Sequence, residues 1–175
     1  MNQLNKKQIH RLFEALNEEL KAKHLTGDLC LVGGAVMCLV LKARDSTADI
    51  DAFFAPTTEL RVAAKQVAQK LGADPHWLND GVKGFLSPKG DFSNYLELSH
   101  LKISTATPAY MLAMKCLAAR IGEEFHDIDD IRYLLKHLGI ETPKKAIQVI
   151  TNYYPLEKLP QKSLYLLDEL LTCKT

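Results

Sequence analysis

Two aspartates, Asp49 and Asp51, stand at alternate positions in the apolar stretch Ala48 to Phe54, downstream of a glycine pair, Gly33-Gly34. On a strand, successive side chains point to opposite faces. The two carboxylates are therefore expected side by side with Ile50 turned into the core. Adjacent carboxylates repel each other unless a cation sits between them, which makes Asp49 and Asp51 candidate ligands for a hard divalent ion, Mg2+ or Mn2+. Such ions often share their oxygen ligands with substrate phosphates. The glycine pair has two readings. It is a tight strand-to-helix turn where a side chain would clash, or it lets backbone N–H groups and a helix N-terminus approach a polyphosphate. No G-K-[ST] follows and the spacing is not G-x-G-x-x-G, so neither of those phosphate loops is present.

The elements that must position these residues follow from periodicity. Asn5 to Lys23 carries Ile9, Leu12, Phe13, Leu16 and Leu20 at helical spacing, with charges mostly on the other side. Thr26-Gly27-Asp28 turns the chain into a short buried strand, Leu29 to Val32, and Ala35 to Leu41 is apolar all round, as a helix behind a sheet would be. A polar loop, 42–47, then leads into the aspartate strand, so that glycines and carboxylates would face one crevice. Leu60 to Leu71 reads as a second helix closed by Gly72. Asp74 to Phe85 reads as a loop anchored by Trp77, and Tyr95 to Thr105 as one strand. Thr107-Pro108 starts a helix through Arg120 in which Lys115 is the one lysine. Asp127 and Asp130 share a face of the following helix, which ends before Gly139. Thr142-Pro143 begins another helix through Tyr153, and Leu164 to Leu171 forms the last.

The 175 residues carry a net charge of +1, so no global basic field announces a nucleic-acid partner. The lysines 144, 145, 158, 162 and 174, with Tyr153, Tyr154 and Tyr165 as stacking surfaces, form a mildly basic C-terminal face. That face reads as solvated helix surface, with an RNA-facing surface as the alternative. The four cysteines have no C-x-x-C spacing, and three lie in apolar runs as small hydrophobes. No N-terminal segment has a signal-peptide layout and no apolar run is long enough for a membrane span, so a cytoplasmic protein is expected. The expected class is α/β (α+β), a single domain overall. It comprises an N-terminal helix over 1–24, a core over 25–105 and a helical C-terminal part over 106–175.

Gly33-Gly34, then Arg44 with Ser46 or Thr47, then Asp49-Ile50-Asp51 resemble the G-[GS]…D-x-D signature of the DNA polymerase beta-like nucleotidyltransferase superfamily. The match covers about the first third of the chain. A second likeness lies further on. Lys115 four residues before Arg120, followed by Asp127-x-x-Asp130, is similar to the second motif of the abortive-infection (AbiEii-type) toxin nucleotidyltransferases. It departs from that motif in having His126 where a lysine is usual and in the spacer Gly122 to Phe125. The resemblance implies a small mixed sheet flanked by helices and an NTP held with Mg2+ (or Mn2+). It implies transfer of an NMP to RNA or protein, with an antitoxin protein as partner. It further implies nucleotide-binding roles for Gly33, Gly34, Arg44, Ser46 and Lys115, metal ligation by Asp49 and Asp51, and a base or acceptor-positioning role for Glu97 or Asp127, although from the residues alone Glu97 reads as a solvent-facing glutamate on an edge strand. Trp77 or Lys83 would help frame the nucleotide pocket, and Asp130 would pair with Arg120 or Arg132. Two alternatives stand beside this reading: an inactive nucleotidyltransferase fold that binds nucleotide or a protein partner, and transfer to an aminoglycoside.

Overall fold

The computed structural model describes residues 3–119 and 126–172. Arg120, the spacer Gly122 to Phe125, Cys173 and Lys174, all used in the sequence reading, lie outside these residues. The chain divides into two compact units, Met1–Gly84 with Phe92–Ala106, and Phe85–Asp91 with Thr107–Thr175.

The first unit is mixed α/β. Strand β1 (Leu4–Asn5) runs into helix α1 (Lys6–Ala22), whose start is fixed reciprocally: the Asn5 side chain accepts the Gln8 N–H, and the Gln8 side chain accepts the Asn5 N–H. Then follow β2 (Gly27–Leu31), α2 (Gly33–Leu39), β3 (Ser46–Thr47), β4 (Ile50–Ala55), α3 (Thr57–Leu71), β5 (Leu78–Asn79), β6 (Phe92–Glu97) and β7 (Leu101–Ala106). β1 and β3 pair with each other. The other strands form one sheet in the order β5-β4-β2-β7-β6. β2 is antiparallel to β4 and parallel to β7, β4 is parallel to β5, and β6 is antiparallel to β7, so the sheet is mixed.

Alternation decides which side of this sheet is core. Leu29, Leu31, Ala52, Phe54, Leu101 and Ile103 are buried, and α1 and α3 pack against β7 and β4 as well as against each other. Each large side chain of this set contributes about 1.5–3 kcal/mol by leaving water. The apolar stripe of α1 (Ile9, Leu12, Phe13, Leu16, Leu20) is buried as its spacing requires. Glu19 ties α1 to α3 through an ion pair with Lys70. That hydrogen bond, ahead of the opposing cost of burial, holds the Glu19 carboxyl below the usual carboxylate range.

Two local expectations are corrected. Tyr95 to Thr105 is not one strand but parts of two, β6 and β7, reversed through Leu98-Ser99-His100. The reversal is held from outside the hairpin, because Asn17 Oδ1 on α1 accepts the His100 N–H at 2.8 Å. The aspartate strand begins at Ile50, and Asp49 sits in the bend before it.

The second unit is helical: α4 (Pro108–Ala118), α5 (Asp127–His137), α6 (Pro143–Thr151) and α7 (Gln161–Thr172). Thr107 and Thr142 cap α4 and α6 with their hydroxyls, and proline occupies the first turn of each. Segment 85–91 is packed into this unit by tyrosines. Tyr110 Oη accepts the Ser87 N–H at 2.8 Å, and Tyr154 Oη donates to the Phe85 carbonyl. Tyr154 is therefore core and not a stacking surface, and burial raises its phenol pKa. Cys116 is equally enclosed, its thiol pushed up to about 12 by burial. Among the described residues no helix is long and apolar enough to cross a membrane.

Candidate functional site

Glycine at 33 and 34 is required by what stands next to the backbone. Gly33 has φ +64, a left-handed conformation that side chains disfavour, and a Cβ there would lie 2.9 Å from Asp51 Oδ2. A Cβ on Gly34 would lie 2.3 Å from Thr47 Oγ1 and 3.4 Å from a guanidinium nitrogen of Arg44. The turn out of β2 is thus pressed against Asp51, Thr47 and Arg44 together. It can be so only because nothing projects from it.

The adjacent strand brings the carboxylates. Ile50 is fully buried while Asp49 and Asp51 on either side of it are half-buried, as the alternation predicts. Main-chain bonds fix β4 at its start: Val32 N–H donates to the Asp51 carbonyl at 3.0 Å, and Ile50 N–H to the Trp77 carbonyl at 2.7 Å. Thr47 Oγ1 donates to the Asp49 carbonyl at 3.1 Å and braces the bend. Ser46 points elsewhere, its hydroxyl donating to Gln3 Oε1 at 3.2 Å. Of the two hydroxyls named in the sequence, Thr47 is the one at the glycines.

A residue that the sequence reading passed over completes the cluster. Asn79 on β5 stands opposite Asp51 in the parallel ladder, and its Nδ2 donates to Asp49 Oδ2 at 2.8 Å. It lies in the Trp77-Leu78-Asn79-Asp80 run that the sequence offered only through Trp77 and Lys83. Trp77 is a core anchor, its indole N–H donating to the Ala64 carbonyl at 3.0 Å. Lys83 joins Arg61 on the Asp80 carboxylate, at 2.5 and 2.6 Å. The Lys83 contact, ahead of the opposing cost of burial and of Arg61, keeps Asp80 below the usual carboxylate range. The signal that could have found Asn79 is a short polar-ended segment after a buried tryptophan, the place where an edge strand would pair with β4.

Glu97 is not brought to the aspartates. It ends the edge strand β6, exposed and opposite Lys102, with β7 and β2 lying between it and β4. Lys115 and Asp127 belong to the helical unit. There the Lys115 ammonium is 2.7 Å from Asp127 Oδ1 and 2.7 Å from Asp130 Oδ2, with the two aspartates 5% and 4% exposed. Both carboxylates of the face thus share the lysine, while Arg132 pairs with the exposed Asp129 at 2.8 Å.

Carboxylate oxygens are the donor type that a small hard cation takes. Asp49 and Asp51 carry the carboxylates, a neutral amide orients the Asp49 one, and Asp51 Oδ2 packs close against the bare Gly33 backbone. Among the described residues no group of three or more His, Cys, Asp or Glu side chains gathers. An ion here would draw its other ligands from water and substrate oxygens. Comparison of the chain with protein-family models, with curated proteins and with solved structures gives no match.

Proposed function

We propose that this protein is a metal-dependent nucleotidyltransferase of the polymerase beta-like kind, which moves an NMP from an NTP to an RNA or protein acceptor. On this reading it is a cytoplasmic toxin neutralised by an antitoxin. The observation that carries the reading is the close approach of the Gly33-Gly34 backbone at the start of α2 to Asp51 on β4, Thr47 on β3 and Arg44 in the loop before β3. A plain strand-to-helix turn has no need of a carboxylate, a hydroxyl and a guanidinium against its glycines. A triphosphate site has use for all three.

Asp49 and Asp51 would hold Mg2+ or Mn2+, which when bound neutralises triphosphate charge and stabilises in-line displacement at the α-phosphate. The Gly33-Gly34 backbone would admit the phosphates to within hydrogen-bonding distance, and Arg44 would add a fixed positive charge beside them. Thr47 would keep the Asp49 bend in place. The reading draws on the first unit alone.

A second reading is favoured by the position of Glu97: with no third acid beside the aspartates among the described residues, the protein would bind a nucleotide or a protein partner without transferring anything. Incubation with labelled NTPs, Mg2+ and an RNA or protein extract separates the two. Transfer by the native chain that disappears in Asp49→Asn supports the transferase. Nucleotide binding without transfer supports the second reading. Unchanged NTP and Mg2+ binding in the double variant Asp49→Asn/Asp51→Asn would end the transferase reading.

A further inference from the structure

We propose that Phe53 is the base platform of this site: an NTP whose phosphates lie at Gly33-Gly34 and Asp51 stacks its base on the exposed Phe53 ring. The proposal rests on the nucleotide-site reading above and adds how the base is held.

Strand alternation puts the ring on the same face as the carboxylate. Along β4, Ile50, Ala52 and Phe54 are buried, so Asp51 and Phe53 project together from the other face, two positions and about 6.5 Å apart along the strand. Of the two adjacent phenylalanines, Phe54 is 1% exposed and Phe53 41%. A lone exposed apolar side chain is common on proteins and by itself means nothing. What distinguishes Phe53 is its place in line with the glycines and the aspartate. Asp51 Oδ2 packs against the Gly33 turn at the end of β2, whereas Phe53 lies opposite Cys30, three residues before that turn. Turn, carboxylate and ring therefore follow one another in the order in which a nucleotide presents its phosphates and then its base.

The neighbours leave room for a flat ring. Across the ladder from Phe53 stands Cys30, and beyond it Ser104 on β7, both small side chains. Burial, and after it Asp28, raises the Cys30 thiol pKa, so this stretch of the face carries no charge. Two residues further along β2, the face turns polar with Asp28 opposite Lys102. The apolar window is thus short, bounded by Asp51 at one end and by that pair at the other, and Phe53 is the ring within it. A base and an aromatic ring stack through their π-faces, which every base has, so a site of this kind takes all four bases.

The test measures equilibrium binding and not turnover. Isothermal titration in Mg2+ compares the α,β-methylene analogues of ATP and UTP with inorganic tripolyphosphate, which has phosphates and no base, in the native chain, Phe53→Ala, Phe53→Trp and Asp51→Asn. Phe53→Ala should weaken both analogues about 5- to 150-fold, the range for loss of one base–aromatic stack, and leave tripolyphosphate unchanged. Phe53→Trp should bind both analogues at least as tightly as the native chain. Its new indole should be quenched by them and not by tripolyphosphate, against the steady emission of Trp77, the one native tryptophan, which is buried. Unchanged analogue binding in Phe53→Ala, equal loss of analogues and tripolyphosphate, or an indole that stays unquenched in the nucleotide complex overturns the proposal. The phosphate site then still stands where Asp51→Asn abolishes tripolyphosphate binding. If thermal unfolding shows that Phe53→Ala has lost its fold, the quenching in Phe53→Trp decides. Indole emission that shifts with chain concentration in the absence of nucleotide would put a second copy on this face and likewise overturn the proposal. Tripolyphosphate bound alike by the native and Asp51→Asn chains, or by neither, overturns the site and the proposal together.

Discussion

Asp51 on β4 stands half-buried beside a bare glycine backbone, whereas Asp127 and Asp130 on α5 are almost wholly out of water and both hold Lys115. The residue types are the same and their settings are opposed. Burying a carboxylate is expensive unless a matched charge lies against it. Once so matched, it is fixed, because removing either member strands the other. The helical unit therefore reads as a place where charge holds structure. In the α/β unit the Asp49 and Asp51 carboxylates are only half-buried and remain within reach of water, the setting that the proposed ion site needs.

The largest expected effect tests the helical side of this contrast. Lys115→Met should lower stability by about 3–5 kcal/mol, the usual cost of breaking a buried ion pair, read as a fall in the urea midpoint. If that variant unfolds at the native midpoint and has lost label transfer, Lys115 is a chemical residue and the contrast breaks. Next comes Gly34→Ala. Its added methyl group must displace Thr47, at a cost of about 1–3 kcal/mol as for other overpacked sites, and Mn2+ binding should weaken with it. Full Mn2+ binding by this variant would show that the close approach serves only the turn. The smallest effect is expected from Glu97→Gln. An exposed group on the edge strand should move stability by no more than about 0.5 kcal/mol and leave ion binding untouched. A large loss of transfer in Glu97→Gln would mean that the acid on β6 takes part after all.

What the sequence disclosed and what it hid divide along the range of the interactions involved. α1 was legible because its stripe and its cap are written within the segment itself, and the alternation around Ile50 marked Asp51 in the same way. The reversal between β6 and β7 was not legible. Leu96 and Leu98 alternate before it and Leu101 and Ile103 after it, only a one-residue slip at Ser99-His100 marks it, there is no glycine, proline or asparagine, and its stabilising acceptor, Asn17, is 83 positions away. The site role of Glu97 came from the family likeness, and the solvent-facing edge position read from the residue itself is the one it takes on β6. Asn79 was missed for a similar reason, since only the pairing of β5 with β4 reveals that its amide meets a carboxylate 30 residues earlier. Lys115 with Asp127 was legible as an association, and Asp130 as a second claimant on the same lysine was not.

The interleaving of the two units bears on how the protein is made. Segment 85–91 leaves the ribosome before β6 and β7, yet its partners Tyr110, Tyr153 and Tyr154 are synthesised only afterwards. During that interval the Ser87 N–H and the Phe85 carbonyl lack the tyrosine partners they have in the folded unit. The α/β unit, for its part, cannot close its sheet until 92–106 has emerged. Cutting the gene at Thr107 would therefore not yield two self-sufficient halves. The N-terminal piece would carry a segment without its tyrosines, and the C-terminal piece would carry tyrosines without their segment.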